Sequence, residues 1–131
     1  MKLRLCFLNL ILLTGLLTLS GCPLFLVGTG AVVGAGTAVY IGGELKVEEQ
    51  VDMNRAWNSS QKAMKDLEFR VTKSQKDVLA GEIVALRADD TKIIIRLKKR
   101  SDQSTEFRIR AGTFGDESLS RLIHEKIKSR F

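Results

Sequence analysis

The chain has 131 residues, with 21 lysines and arginines against 15 aspartates and glutamates, a formal net charge of +6, and only two cysteines. This length accommodates one domain with a modest core and excludes a second of similar size. The moderate basic bias suits polyanions such as phosphorylated lipid headgroups without requiring them.

The chain starts with Lys2 and Arg4 and continues as an apolar run from Leu5 to Leu19, the n-region and h-region of an export signal. Cys6 lies inside that run as an apolar filler. The run ends at Leu19-Ser20-Gly21-Cys22, which resembles the lipobox of bacterial lipoproteins. The resemblance implies that residues 1–21 are a removable signal peptide. Cys22 then becomes the first residue, its sulfur carries a diacylglyceryl group, and its amine is usually acylated. Lipidation of Cys22 leaves no thiol for a disulfide, a metal or catalysis. Pro23 stands where an aspartate is usually associated with inner-membrane retention, which favours the outer membrane of the cell envelope over the inner.

No charged residue occurs between Arg4 and Glu44, and the stretch from Leu24 to Gly43 is apolar and glycine-rich. Gly30, Gly34 and Ala38 are spaced to put small residues on one helical stripe, where another helix could approach closely. Twenty or so helical residues would span about 30 Å, the thickness of a hydrocarbon core. Against a helix stand the glycines, each costing roughly 1 kcal/mol relative to alanine. A membrane-embedded or membrane-packed helix is the leading reading, a flexible collar the second and a strand of the folded domain the third. Residues 22–43 are therefore expected as a membrane-proximal tether and residues 44–131 as the folded domain.

Glu44-Leu45-Lys46-Val47-Glu48 alternates polar and apolar, the period of a half-buried strand. Asp52 is placed to cap a helix whose apolar face carries Met53, Ala56, Trp57, Ser60, Met64 and Leu67. Four strands are expected next: Phe69–Ser74, with Phe69 and Val71 inward; Gly81–Ala88, without clear alternation; Thr91–Lys99, with Ile93, Ile95 and Leu97 inward; and Thr105–Ala111, with Phe107, Ile109 and Ala111 inward. Asp116 is placed to cap a last helix with an apolar stripe of Leu119, Leu122, Ile123 and Ile127. The order β-α-β-β-β-β-α predicts an α+β fold, a two-layer domain with two helices on one face of an antiparallel sheet.

The run Gly112-Thr113-Phe114-Gly115-Asp116-Glu117-Ser118-Leu119-Ser120, with Gly43-Glu44-Leu45, the glycine-rich segment and the lipobox, is similar to an uncharacterised family of small bacterial envelope lipoproteins known only as a domain of unknown function. The resemblance covers essentially the whole mature chain. It implies an exported, lipid-anchored protein with the element order above, and it brings no catalytic residues.

Alternation also sends Arg70, Arg96, Lys98, Arg108 and Arg110 to the open face of the sheet, with Glu106 the clearest acid among them. This plate is a candidate site for an anionic lipid or another envelope polyanion. The competing and favoured reading is an ordinary wet face that keeps the sheet soluble. Lys98-Lys99-Arg100 reads as a solvated strand end. Nucleic acid is a poor partner, because no aromatics interleave the basic residues to stack bases.

His124, the single histidine, is expected at the surface off the main stripe, without the acid and nucleophile that catalysis requires. Capping and packing account for Ser59, Ser60, Ser118 and Ser120, and turn or cap roles for Asp89-Asp90 and Asp116-Glu117, so neither metal nor cofactor is expected. Trp57 is expected as a core anchor, and Phe114 as a plug at the mouth of the last helix, with an apolar tip offered to a partner as its alternative. The resulting expectation is a non-enzymatic, membrane-anchored protein that interacts with envelope components, a protein partner being favoured over anionic lipid.

Overall fold

The computed structural model describes residues 37–131. The signal, Cys22 and the glycines up to Gly36 lie outside the described residues.

The elements are β1 (Val39–Ile41), β2 (Glu44–Glu49), α1 (Met53–Asp66), β3 (Arg70–Lys76), β4 (Ala80–Leu86), β5 (Lys92–Ser101), β6 (Ser104–Ala111) and α2 (Glu117–Lys128). All six strands form one antiparallel sheet in the order β1-β2-β6-β5-β4-β3. From β2 the chain passes through α1 to the far edge, and then β3, β4, β5 and β6 walk back until β6 pairs with β2. Both helices lie on one face, so the expected two-layer α+β architecture is the one observed.

Side-chain alternation decides which face is covered. Leu45 and Val47 of β2, Ile83 and Ala85 of β4, Ile93, Ile95 and Leu97 of β5, and Phe107, Ile109 and Ala111 of β6 are all buried. They meet Met53, Ala56, Ala63 and Met64 from α1 and Ile123 and Ile127 from α2 in one cluster. Burying a side chain of this size contributes roughly 1.5–3 kcal/mol relative to leaving it in water. Strand β4, which shows no clear period in sequence, alternates in the structure because Val84 and Leu86 face outward as partly covered apolar groups.

Both helices begin at the aspartates expected to cap them. The Asp52 carboxylate accepts from the backbone N–H groups of Asn54 and Arg55 at 3.0 Å. Asp116 accepts from that of Leu119 at 2.9 Å. Each such bond satisfies an amide that the helix leaves without an internal partner.

Several expectations need correction. Val39–Ile41, at the end of the expected tether, pairs with β2 as an edge strand; a three-residue strand inside an apolar glycine-rich run carries no period to betray it. Val71 lies opposite Ala85 on the covered side, yet remains 37% exposed because β3 is the other edge and is exposed along its whole length. On α2 the buried stripe is Ser120, Ile123, His124 and Ile127, while Leu122 is 52% exposed. His124 is therefore buried, not superficial: the i, i+3, i+4, i+7 spacing from Ser120 carries it onto the sheet.

Candidate functional site

The open face of the sheet brings the predicted cations partly together. Arg96 and Arg108 are direct cross-strand neighbours, and their row continues to Glu82 on β4 and Lys46 on β2. Lys98 stands opposite Glu106, and Arg110 opposite Ile94. Arg70, opposite Leu86 on the edge strand, stands apart from the other four.

Two of these five cations, Arg96 and Arg108, are compensated by acids. The Arg96 guanidinium bridges Glu44 at 3.2 Å and Glu82 at 3.1 Å, and Lys73 holds Glu82 from the other side at 2.9 Å. Those two cations, Lys73 first, hold the Glu82 carboxyl below its ordinary range. Glu106 receives both Arg100 and Arg108. Burial pushes the Glu106 carboxyl up, but the two guanidiniums outweigh burial and hold it below its ordinary value, while Glu106 in turn raises Arg108. Arg110 donates to the carbonyl of Thr113 at 2.6 Å, which ties the sheet to the loop before α2. Among the described residues, Arg70, Lys98 and Arg110 have no ion-pair partner. The plate therefore combines an ion-paired centre, Arg96 and Arg108 with Glu44, Glu82 and Glu106, with three cations outside that network.

One groove runs over this face beneath the β3–β4 turn, with a volume of about 700 Å³. Its lining combines Leu79, Ala80 and Gly81 with Arg96, Lys98 and Arg108. The turn is held by Asp77, whose carboxylate accepts from the N–H groups of Leu79 and Ala80 at 2.7 Å; these two bonds keep its pKa below the ordinary value. The tip residues Val78 and Leu79 are exposed.

At the opposite end of the sheet, the β1–β2 turn packs on the loop that joins β6 to α2. Gly43 and Gly115, both at positive φ, lie so close that a Cβ on Gly115 would fall 2.4 Å from the Gly43 Cα and 2.5 Å from the Tyr40 hydroxyl. A Cβ on Gly43 would fall 2.6 Å from the carbonyl oxygen of Phe114. Phe114 itself is 93% exposed. The expectation that it plugs the core is overturned, because the glycine contact fills the mouth of α2 and leaves the ring outside.

The buried polar groups form a third feature. His124 Nε2 lies 3.1 Å from Glu49 Oε1 and the Phe107 ring meets the imidazole edge-on at 6.1 Å. Lys128 Nζ is 3.9 Å from the same Glu49 oxygen. Glu49 and His124 are each 5% exposed, and neither atom of the close pair makes a well-aligned hydrogen bond among the described residues. Burial lowers the His124 pKa, and the negative charge of Glu49 only partly opposes it. Sequence reasoning missed this pair; the usable signal was the helical spacing of Ser120, Ile123, His124 and Ile127. Ser59, Ser60 and Thr105 each donate their hydroxyl to a backbone carbonyl, of Arg130, Ala56 and Val51 respectively. No group of three or more metal-ligating side chains is found among the described residues.

These features define a small α+β domain with two helices on one sheet face, an ion-paired opposite face and a glycine-braced apolar loop. The family described as Protein of unknown function (DUF3568) matches residues 4–130, and the chain belongs to that family. No curated protein matches the sequence. The two stretches that carry the family resemblance in sequence, Gly43-Glu44-Leu45 and Gly112 to Ser120, meet in space at the Gly43–Gly115 contact.

Proposed function

We propose that this protein is a bacterial envelope lipoprotein, anchored through lipidated Cys22, whose domain acts by binding and not by catalysis. The observation that carries the reading is the burial of the single histidine, its glutamate neighbour and four hydroxyl groups. His124, Glu49, Ser59, Ser60, Ser120 and Thr105 are all at most 5% exposed, so a substrate would have no access to them. The charge-free run that contains Cys22 and precedes Glu44 supports attachment to a membrane, and Pro23 favours the outer one. Palmitate labelling with a Cys22→Ala control tests the anchor: the variant should lose label and accumulate uncleaved precursor, and continued labelling overturns the anchor. Crosslinking in intact envelopes should return a reproducible partner. A clean monomer would count against an interaction role.

A second reading rests on the groove. Three of the five predicted cations, Arg96, Lys98 and Arg108, line it beside apolar residues, a combination suited to a phosphorylated amphiphile. Binding there would require the ligand to compete with Glu44, Glu82 and Glu106 for the guanidiniums. Joint replacement of Arg96, Lys98 and Arg108 by glutamate should abolish lipid or lipopolysaccharide binding, and unchanged binding removes this reading.

A further inference from the structure

Phe114 is the most exposed large apolar side chain of the described domain, and the chain around it is held in place. The Gly43–Gly115 contact braces its loop on one side. Arg110 binds the carbonyl of Thr113, and the Gly112 N–H donates to the carbonyl of Lys92 at 2.8 Å. A large aromatic ring kept in water on a fixed support has no part in the core and calls for an external apolar environment.

The same end of the sheet carries more apolar surface. Ile41 is 59% exposed and Val39 45% exposed, and β1 reaches the Phe114 loop through the Gly42–Gly43 turn. In sequence these two residues lie near the end of the uncharged stretch from Cys22 to Gly43 that remains once the signal is removed. Val39 lies only about 7 Å along the strand from Ile41, so the uncharged run enters the domain next to this end. The β3–β4 tip at the other end also exposes Val78 and Leu79, with Lys76, Asp77, Lys99 and Asp102 around the hollow there. Acids stand near Phe114 too, at Asp116 and Glu117, so what sets its end apart is the uncharged run that leads into β1.

We infer that Phe114 and Ile41 form an apolar wedge by which the domain rests on a lipid bilayer, Phe114 entering the boundary between headgroups and acyl chains and Arg110 standing behind it at phosphate level. A bilayer fits this end better than a protein groove because the neighbouring chain is uncharged over the whole run leading into β1. An aromatic flanked by a guanidinium is also a usual composition for interfacial anchoring. This inference rests on the membrane-attached reading above and adds to it an orientation: the end of the sheet bearing the β1–β2 turn faces the bilayer.

The test uses the full chain reconstituted into phosphatidylethanolamine–phosphatidylglycerol vesicles with brominated acyl chains. Trp57, the single tryptophan, is replaced by phenylalanine, and a reporter is introduced as Phe114→Trp or, at the other end, Val78→Trp. If the Trp57→Phe background does not fold, the reporters are placed in the Trp57 parent and difference spectra are read. The Phe114 reporter should shift to the blue and lose at least about half its emission to bromines placed at shallow depth, while the Val78 reporter should stay quenchable by aqueous iodide. Equal behaviour of the two reporters, or an iodide-accessible Phe114 reporter, overturns the inference and leaves the loop to a protein partner. Flotation of the same samples separates the two ideas. A chain that floats with a water-exposed reporter keeps its anchor and loses the wedge, and a chain that does not float loses both.

Discussion

Gly43 and Gly115 touch backbone to backbone, and neither position has room for a methyl group. Both adopt positive φ, at 79° and 86°, where an L side chain is strained by about 1–3 kcal/mol. The contact fixes the β1–β2 turn against the entry to α2, and so joins the edge of the sheet to the helix layer.

Gly115→Ala should therefore destabilise the domain by about 2–4 kcal/mol, combining backbone strain with displacement of Gly43 and Tyr40. Gly43→Ala should cost a similar amount, and the double variant should cost less than the sum because both break the same contact. Urea unfolding of the three variants measures this. A Gly115→Ala protein as stable as the parent would show that the two loops do not need each other. Gly42→Ala is the control for strain alone, since its Cβ would meet nothing within 4 Å although its φ is 62°.

Gly81 and Trp57 form a second fitted pair. A Cβ on Gly81 would lie 2.7 Å from the Trp57 ring, so the indole of α1 sits directly over the backbone of β4. Gly81→Ala should displace the ring and cost about 1–3 kcal/mol. Because the indole is the only one in the chain, its emission should move to the red. An unchanged spectrum with unchanged stability would refute the fit.

Much of this fold is legible from period and capping alone, because Leu45, Val47, Ile93, Ile95, Leu97, Phe107 and Ile109 mark a single covered face and Asp52 and Asp116 mark helix starts. Four things are not. The strand at Val39–Ile41 is too short to show alternation. The burial of His124 depends on how α2 is rotated, and Leu122, two residues earlier and so on the other side of the helix, competes with it for the apolar stripe. The open face reads as a row of cations because the carboxylates that neutralise Arg96, those of Glu44 and Glu82, come from other strands and meet it only once the sheet is assembled. The exposure of Phe114 escapes for a related reason, since it follows from a contact between glycines far apart in sequence.

The ion pairs of that face should matter less to stability than the glycines. Arg96 is about half exposed even while bridging two acids, and pairs of this kind contribute about 0–1 kcal/mol. Arg96→Ala should lower stability by no more than about 1 kcal/mol, whereas Arg96→Glu, which faces Glu44 and Glu82 with a like charge, should cost more and should recover in high salt. Equal losses in low and high salt would show that packing of the side chain, not charge, is what Arg96 supplies.

The buried His124 predicts a pH dependence with a defined sign. It packs against Glu49 of β2 and Phe107 of β6, with Glu125 and Lys128 of its own helix nearby. Burial lowers its pKa in the folded state from the ordinary 6.5, so the unfolded chain binds the proton more readily. The stability this neutral imidazole supports is complete above 6.5 and is lost as the pH falls through the lower folded value. Urea unfolding should show stability declining as the pH falls below 6.5, with a limiting slope of about 1.4 kcal/mol per pH unit. His124→Gln, which cannot take up the proton, should flatten that slope. Glu82 and Glu106 have pKa values lowered from 4.5, so the stability they supply is present above 4.5 and is lost as the pH falls below it, in a separate acid window. A decline below pH 6.5 that is the same in the variant would place its origin elsewhere than His124.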